Sequence, residues 1–128
     1  MNVAIPHWQG RVSPVFDVAV HVLIVEIHEG AERSRQMLSM DEADPRARAG
    51  ALHGKGVDLL VCAAITRPMR LAVLAEGIEL IDEVCGEVEE IISAVAAGRF
   101  QRDTFRMPGC CRRRRRMLRD SDPRKSDV

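Results

Sequence analysis

Gly56-Val57-Asp58-Leu59-Leu60-Val61-Cys62-Ala63-Ala64-Ile65-Thr66-Arg67-Pro68 is the stretch that decides the fold. From Val57 to Ile65 it is apolar, nearly uncharged and partly β-branched, which predicts a strand buried on both faces. Thr66 follows as a helix N-cap, with Pro68 in the first turn. Gly77 stops that helix after Glu76, and Ile78 to Ile81 predicts a last short strand. Strand, covering helix and strand make a crossover unit, and crossovers join parallel strands.

The same alternation extends outward. Before this stretch, Asp44 fits an N-cap with Pro45 at the first helical position, predicting a helix to about His53 that ends at Gly54 or Gly56. After it, Gly86 precedes an amphipathic helix with Val88, Ile91, Ile92 and Val95 on its apolar face and Gly98 at its end. The N-terminal part reads as strands. Asn2 to Ile5 is a short apolar strand stopped by Pro6, and a polar loop spans His7 to Pro14. Val15 to Ala19 is a short helical turn. His21 to His28 is a strand with Val22 and Ile24 on one side and Leu23, Val25 and Ile27 on the other, hence covered on both. Glu29-Gly30-Ala31 is a hairpin turn, and Glu32 to Met40 a more polar edge strand. A meander followed by crossover units calls for a sheet with helices on both faces.

Charge divides the chain. The formal net charge is zero, but residues 1–98 carry eight basic and fifteen acidic side chains, net −7. Residues 99–128 carry eleven basic and four acidic ones, net +7. An acidic body with a basic tail suggests an anionic partner for the tail. The longest apolar run, Leu59 to Ile65, is too short to cross a bilayer, and the N-terminus lacks the pattern of a signal peptide. Cys62, Cys85, Cys110 and Cys111 without a secretion signal point to reduced thiols in a cytoplasmic protein with no membrane association. With Trp8, Phe16, Phe100 and Phe105 the only aromatic residues besides histidine, an array of base-stacking platforms is excluded.

Several segments share the style of one family: Val3-Ala4-Ile5-Pro6, Gly10-Arg11-Val12-Ser13-Pro14-Val15-Phe16-Asp17, and Gly56 to Cys62. Ile65-Thr66-Arg67-Pro68, Glu76-Gly77-Ile78 and Ala97-Gly98-Arg99-Phe100 continue the series. In their order and spacing, over roughly residues 1–100, they resemble the dinitrogenase iron–molybdenum cofactor biosynthesis family, of the NifX and NifB C-terminal type. Met107-Pro108-Gly109-Cys110-Cys111 and the arginines after it look like a tail found on some stand-alone members. The resemblance implies a ribonuclease H-like three-layer α/β fold, with a five-stranded mixed sheet in the order 3-2-1-4-5. It divides the chain into a cluster-binding domain at 1–101 and a basic tail at 102–128. It also implies a non-enzymatic role, binding or delivering an anionic iron–sulfur or molybdenum–iron–sulfur cluster between donor and acceptor proteins.

The residues supply a matching site. In the order that the resemblance implies, strands at 2–5, 57–65 and 78–81 run parallel and open their carboxyl ends on one edge, where the reversal of strand order leaves a crevice. His7, Thr66 with Arg67, and Cys85 with Gly86 stand at the three loops. A helix N-terminus after Thr66 and the Arg67 cation favour an anion. Imidazole and thiolate are ligands for metal–sulfur units. Each also has a plainer role: His7 as a solvated loop residue, Thr66 as a cap, Cys85 as packing under a helix. Cys62, inside the most apolar segment, reads as core, and His21, His28 and His53 show no metal-ligand spacing.

In the tail, Cys110 and Cys111 are candidate metal ligands. Five consecutive arginines, Arg112 to Arg116, favour their thiolates, with Arg112 and Arg113 nearest a bound cluster. The same arginines suit a different protein, an adaptor whose tail engages nucleic acid or an acidic protein. Catalysis finds no support. A nuclease on the ribonuclease H-like sheet that the resemblance implies needs clustered carboxylates including one on the first strand, and Asn2 to Ile5 has none. Neither a phosphate-binding glycine loop nor a nucleophile elbow occurs.

Overall fold

Six strands form one mixed sheet: β1 (Asn2–Trp8), β2 (Arg11–Val12), β3 (His21–His28), β4 (Ala31–Ser39), β5 (Leu59–Val61) and β6 (Glu79–Ile81). The structure is a computed structural model and describes residues 1–98. The order is β4-β3-β1-β5-β6, with β2 paired to β1 off this path. β1 runs antiparallel to β3 and parallel to β5, and β5 runs parallel to β6. The order expected for five strands is therefore present, and the sheet has six rather than five.

The sixth strand arises where a polar loop was expected. β1 does not stop at Pro6 but continues to Trp8, turns through Gln9-Gly10 and returns as β2. Carbonyls along β1 alternate in direction: Asn2 and Pro6 point towards β5 and β2, accepting from Asp58 N and Ser13 N. The missing proline N–H falls on that same side, beyond the last β1–β5 pair, Ala4 with Leu60. No ladder bond is lost, so the strand continues. Gln9 and Gly10 both have positive φ, 54° and 81°, as a two-residue hairpin turn requires. Glu29 and Gly30 repeat the device between β3 and β4, at 54° and 76°.

The strand expected over Val57 to Ile65 is shorter, Leu59 to Val61, because Ala63 and Ala64 leave the β5–β6 ladder to bond other loops. The helices follow the capping signals. Asp44 accepts from Ala47 N to start α1 (Pro45–Gly54). Thr66 caps α2 (Arg67–Ala75), and α3 (Val88–Ala96) follows Gly86.

Side-chain alternation splits the core into two layers. Val3, Ile5, Leu23, Val25 and Val61 meet Val88, Ile91 and Ile92 of α3 on one face. Ala4, Val22, Ile24 and Leu60 meet Leu52 of α1 and Met69 and Val73 of α2 on the other. Burying each such side chain contributes about 1.5–3 kcal/mol. β4 lies at the edge, and its residues are exposed except for the half-buried Leu38.

Candidate functional site

All three loops singled out in the sequence leave the carboxyl edge of the parallel strands, but the crevice between them is crossed by backbone. Val88 N donates to Gly10 O at 2.9 Å and Val12 N to Gly86 O at 3.0 Å, tying the β1–β2 hairpin to the loop before α3. Ser13 N donates to Pro6 O, Ala64 N to Pro14 O and Phe16 N to Ala64 O, each at 2.9 Å. Residues 10–16 thus form a strap over the ends of β1 and β5. The described candidate residues stand around this strap.

Thr66 is held by Asp17. The Asp17 carboxylate accepts from Thr66 N at 3.0 Å and from the Thr66 hydroxyl, while the Thr66 hydroxyl accepts from Met69 N at 3.4 Å. The favourable position for an anion at the start of α2 is already used by the chain's own carboxylate. Arg67, next in sequence, is exposed. Cys85 is a half-exposed cysteine on the loop between β6 and α3, whereas Cys62 is fully buried in the α1–α2 layer. Cys110, Cys111, Arg112 and Arg113 lie outside the described residues, as do the proposed domain boundary and the tail.

His7 has the most developed surroundings. It lies on the second-last residue of β1, half-buried, with Nε2 3.3 Å from Met37 Sδ. Its ring centroid is 6.2 Å from that of His21, and the Trp8 indole stacks on His21 at 6.2 Å and 12°. These rings border a hollow of about 260 Å³ whose other walls include Ser13, Val18 and Val20. Burial, and secondarily the neighbouring His21, push the His7 pKa below its ordinary value. A group so placed favours the neutral imidazole, with a ring nitrogen able to accept or to ligate.

Sequence spacing did not reveal His21, Met37 or Asp17. His21 meets His7 only because β1 and β3 pair antiparallel, with Pro6 opposite Val22 at the end of that register. Met37 arrives by a second antiparallel pairing, opposite Leu23. Asp17 is brought to Thr66 by the strap. Among the described residues, no three His, Cys, Asp or Glu side chains form a metal-binding group.

Fold and site define a class first: a small three-layer α/β domain with one mixed sheet and an imidazole-bordered hollow at its carboxyl edge. The chain belongs to the family described as dinitrogenase iron-molybdenum cofactor, whose profile matches residues 1–98. Solved structures share the fold. A Methanocaldococcus jannaschii protein provisionally named a dinitrogenase is 22% identical, with a TM-score of 0.64 over 79% of this chain and 92% of its own. A Thermotoga protein provisionally named NifB is 23% identical, with a TM-score of 0.61 over 84% and 97%. The apo form of the orange protein from Desulfovibrio gigas is 16% identical, with a TM-score of 0.63 over 82% and 94%. A search of curated proteins finds no match.

Proposed function

We propose that the chain is a non-enzymatic carrier or scaffold whose cargo is an anionic iron–sulfur or molybdenum–iron–sulfur cluster. The observation that carries this reading is His7, a half-buried imidazole beside a hollow at the sheet edge of a domain in an iron–molybdenum cofactor family. Neutral imidazole is a suitable ligand for such a cluster, and the exposed Arg67 cation supplies compensating charge. Because Asp17 holds Thr66, the start of α2 contributes a fixed loop rather than a vacant anion site. Cys85 offers a thiol on the third loop, and Cys110 and Cys111 with Arg112 and Arg113 supply thiolates and positive charge from the tail. The absence of any Asp or Glu from β1 fits a binding role rather than metal-ion hydrolysis. Strand order and the three layers support the ribonuclease H-like description of the fold.

Anaerobic titration with a reconstituted cluster tests the proposal, reading metal uptake and the visible spectrum. The full chain takes up the cluster, and His7→Gln and the double variant Cys110→Ser, Cys111→Ser each weaken retention. If all three ignore the cluster while the full chain binds RNA with a steep salt dependence, the adaptor reading replaces this one.

A further inference from the structure

We propose that His7, His21 and Met37 form a binding site for a single soft monovalent cation of the Cu(I) type. The inference goes beyond the cluster reading and does not rest on it, since a lone ion needs neither the tail nor Thr66 and Arg67.

Two imidazoles and a thioether meet at one end of the sheet, on three strands that pair in fixed register. Met37 is 52% exposed and Trp8 58% exposed, so neither is there to fill the core. A metal with N and S bonds of about 2.0 and 2.3 Å holds those donor atoms about 3.3–3.8 Å apart. His7 Nε2 and Met37 Sδ already lie 3.3 Å apart. Two imidazoles on one ion have ring centroids about 5–6 Å apart by the same bond lengths, and His7 and His21 stand at 6.2 Å.

Donor chemistry selects the ion. A neutral thioether is a soft ligand that favours Cu(I), and imidazole accepts it as well, whereas hard oxygen-seeking cations gain nothing from methionine. The three donors are neutral when the imidazoles are deprotonated, so no ligand charge offsets the ion, and a single positive charge is easier to accommodate than a double one. Trp8, stacked on His21, orients that ring and covers one side of the site. The ion enters and leaves with its charge unchanged, so no electron donor or acceptor is required.

Ag(I), a closed-shell monovalent ion of the same softness, is the probe. The full-length chain carries Cys85→Ser, Cys110→Ser and Cys111→Ser to remove competing thiols; Cys62 stays, being fully buried. Under anaerobic conditions one equivalent of Ag(I) shifts the His7 and His21 imidazole resonances and the Met37 methyl resonance together. It also changes the emission of Trp8, the sole tryptophan. Met37→Leu weakens Ag(I) about tenfold or more while Zn(II) affinity stays unchanged. Met37 is exposed on an edge strand, so this swap leaves the fold intact, and an unchanged amide spectrum verifies that. An unmoved Met37 methyl, or Met37→Leu binding Ag(I) as tightly as its parent, overturns the proposal. Cluster uptake without an Ag(I) response, or the reverse, separates its failure from that of the carrier reading.

Discussion

The carboxylate of Asp17 takes both polar hydrogens of Thr66, the backbone N–H at 3.0 Å and the hydroxyl, so that the residue directly after the strap closes the start of α2. Through this link the strap and the helix on the far side of β5 behave as one unit. Asp17→Ala removes two hydrogen bonds to a charged acceptor and lowers stability by about 1–3 kcal/mol. Thr66→Ala keeps the backbone bond but removes the hydroxyl contact to Asp17 and the cap to Met69 N, at a cost of about 1–2 kcal/mol. The two changes overlap, so a double-mutant cycle in urea gives a coupling of about 0.5–3 kcal/mol. Strict additivity would show that the two residues do not act together.

His7 sets a pH dependence of the apo protein. Its folded pKa lies below the ordinary 6.5, chiefly through burial and then through His21. Between the two values the unfolded chain binds more protons than the fold, so stability rises with pH across that window. The contribution is complete above pH 6.5 and is lost as pH falls through the folded value. An NMR titration of the imidazole reads this directly, and His21→Ala returns the midpoint only partway because burial is the larger cause. A midpoint above 6.5 would contradict the arrangement.

Arg48 supports the strap from α1. It is 3% exposed; its guanidinium donates to Phe16 O at 3.2 Å and lies 5.5 Å from the Phe16 ring centroid. Its Nε has no hydrogen-bond partner among the described residues, and burial lowers its pKa. Arg48→Ala leaves a cavity, costing about 2–4 kcal/mol, while Phe16 O keeps its bond from Ala19 N. Arg48→Met keeps the volume and removes the desolvated charge, costing less than about 1.5 kcal/mol. Chemical denaturation checks the ranking, and a methionine variant weaker than the alanine variant would reverse it.

The layered architecture was legible because burial and capping are local signals. Alternation along His21 to His28 separated Val22 and Ile24 from Leu23, Val25 and Ile27, though not which helix covers each set. Asp44-Pro45 and Thr66 with Pro68 marked two helix starts. What escaped depended on pairing across distance. Pro6 reads as a strand stop until the direction of its carbonyl is known, and Gln9-Gly10 is a weaker hairpin signal than Asn-Gly. The candidate site divided in the same way. His7 was visible as a loop histidine after an apolar strand, but His21 and Met37 join it only through the β1–β3 and β3–β4 registers. The expected reversal of strand order is present, yet nothing local announced that residues 10–16 would lie across the carboxyl ends of the strands there.

Arg35 links the edge strand to α3. Its guanidinium donates to both Glu89 oxygens at 2.7 Å and also contacts Glu32. Hydrogen bonds to Glu89 and Glu32 push the Arg35 pKa up, and the Arg35 hydrogen bond pulls the Glu89 carboxyl down. Glu89 is well exposed, so water and salt screen the pair. A cycle of Arg35→Ala and Glu89→Ala gives about 0.2–1 kcal/mol at low salt and less at high salt. A coupling that salt does not diminish would mean that the contact is sheltered from solvent.

The β1–β2 turn provides the sharpest test of the strap. Gly10 has φ +81°, and a methyl group in place of its hydrogen would meet nothing within 4 Å, so Gly10→Ala is opposed by backbone strain alone. The cost is about 1–2 kcal/mol. Gln9, at φ 54°, already bears that strain, and asparagine tolerates it better, so Gln9→Asn is neutral or slightly stabilising. Because Gly10 O receives Val88 N and Val12 N reaches Gly86 O, loosening the turn also loosens the entry to α3. Hydrogen exchange at Val12 and Val88 therefore accelerates in Gly10→Ala more than exchange at Val25, deep in the sheet. Equal acceleration at all three amides would mean that the variant weakens the whole domain, and that the hairpin does not hold the strap in place.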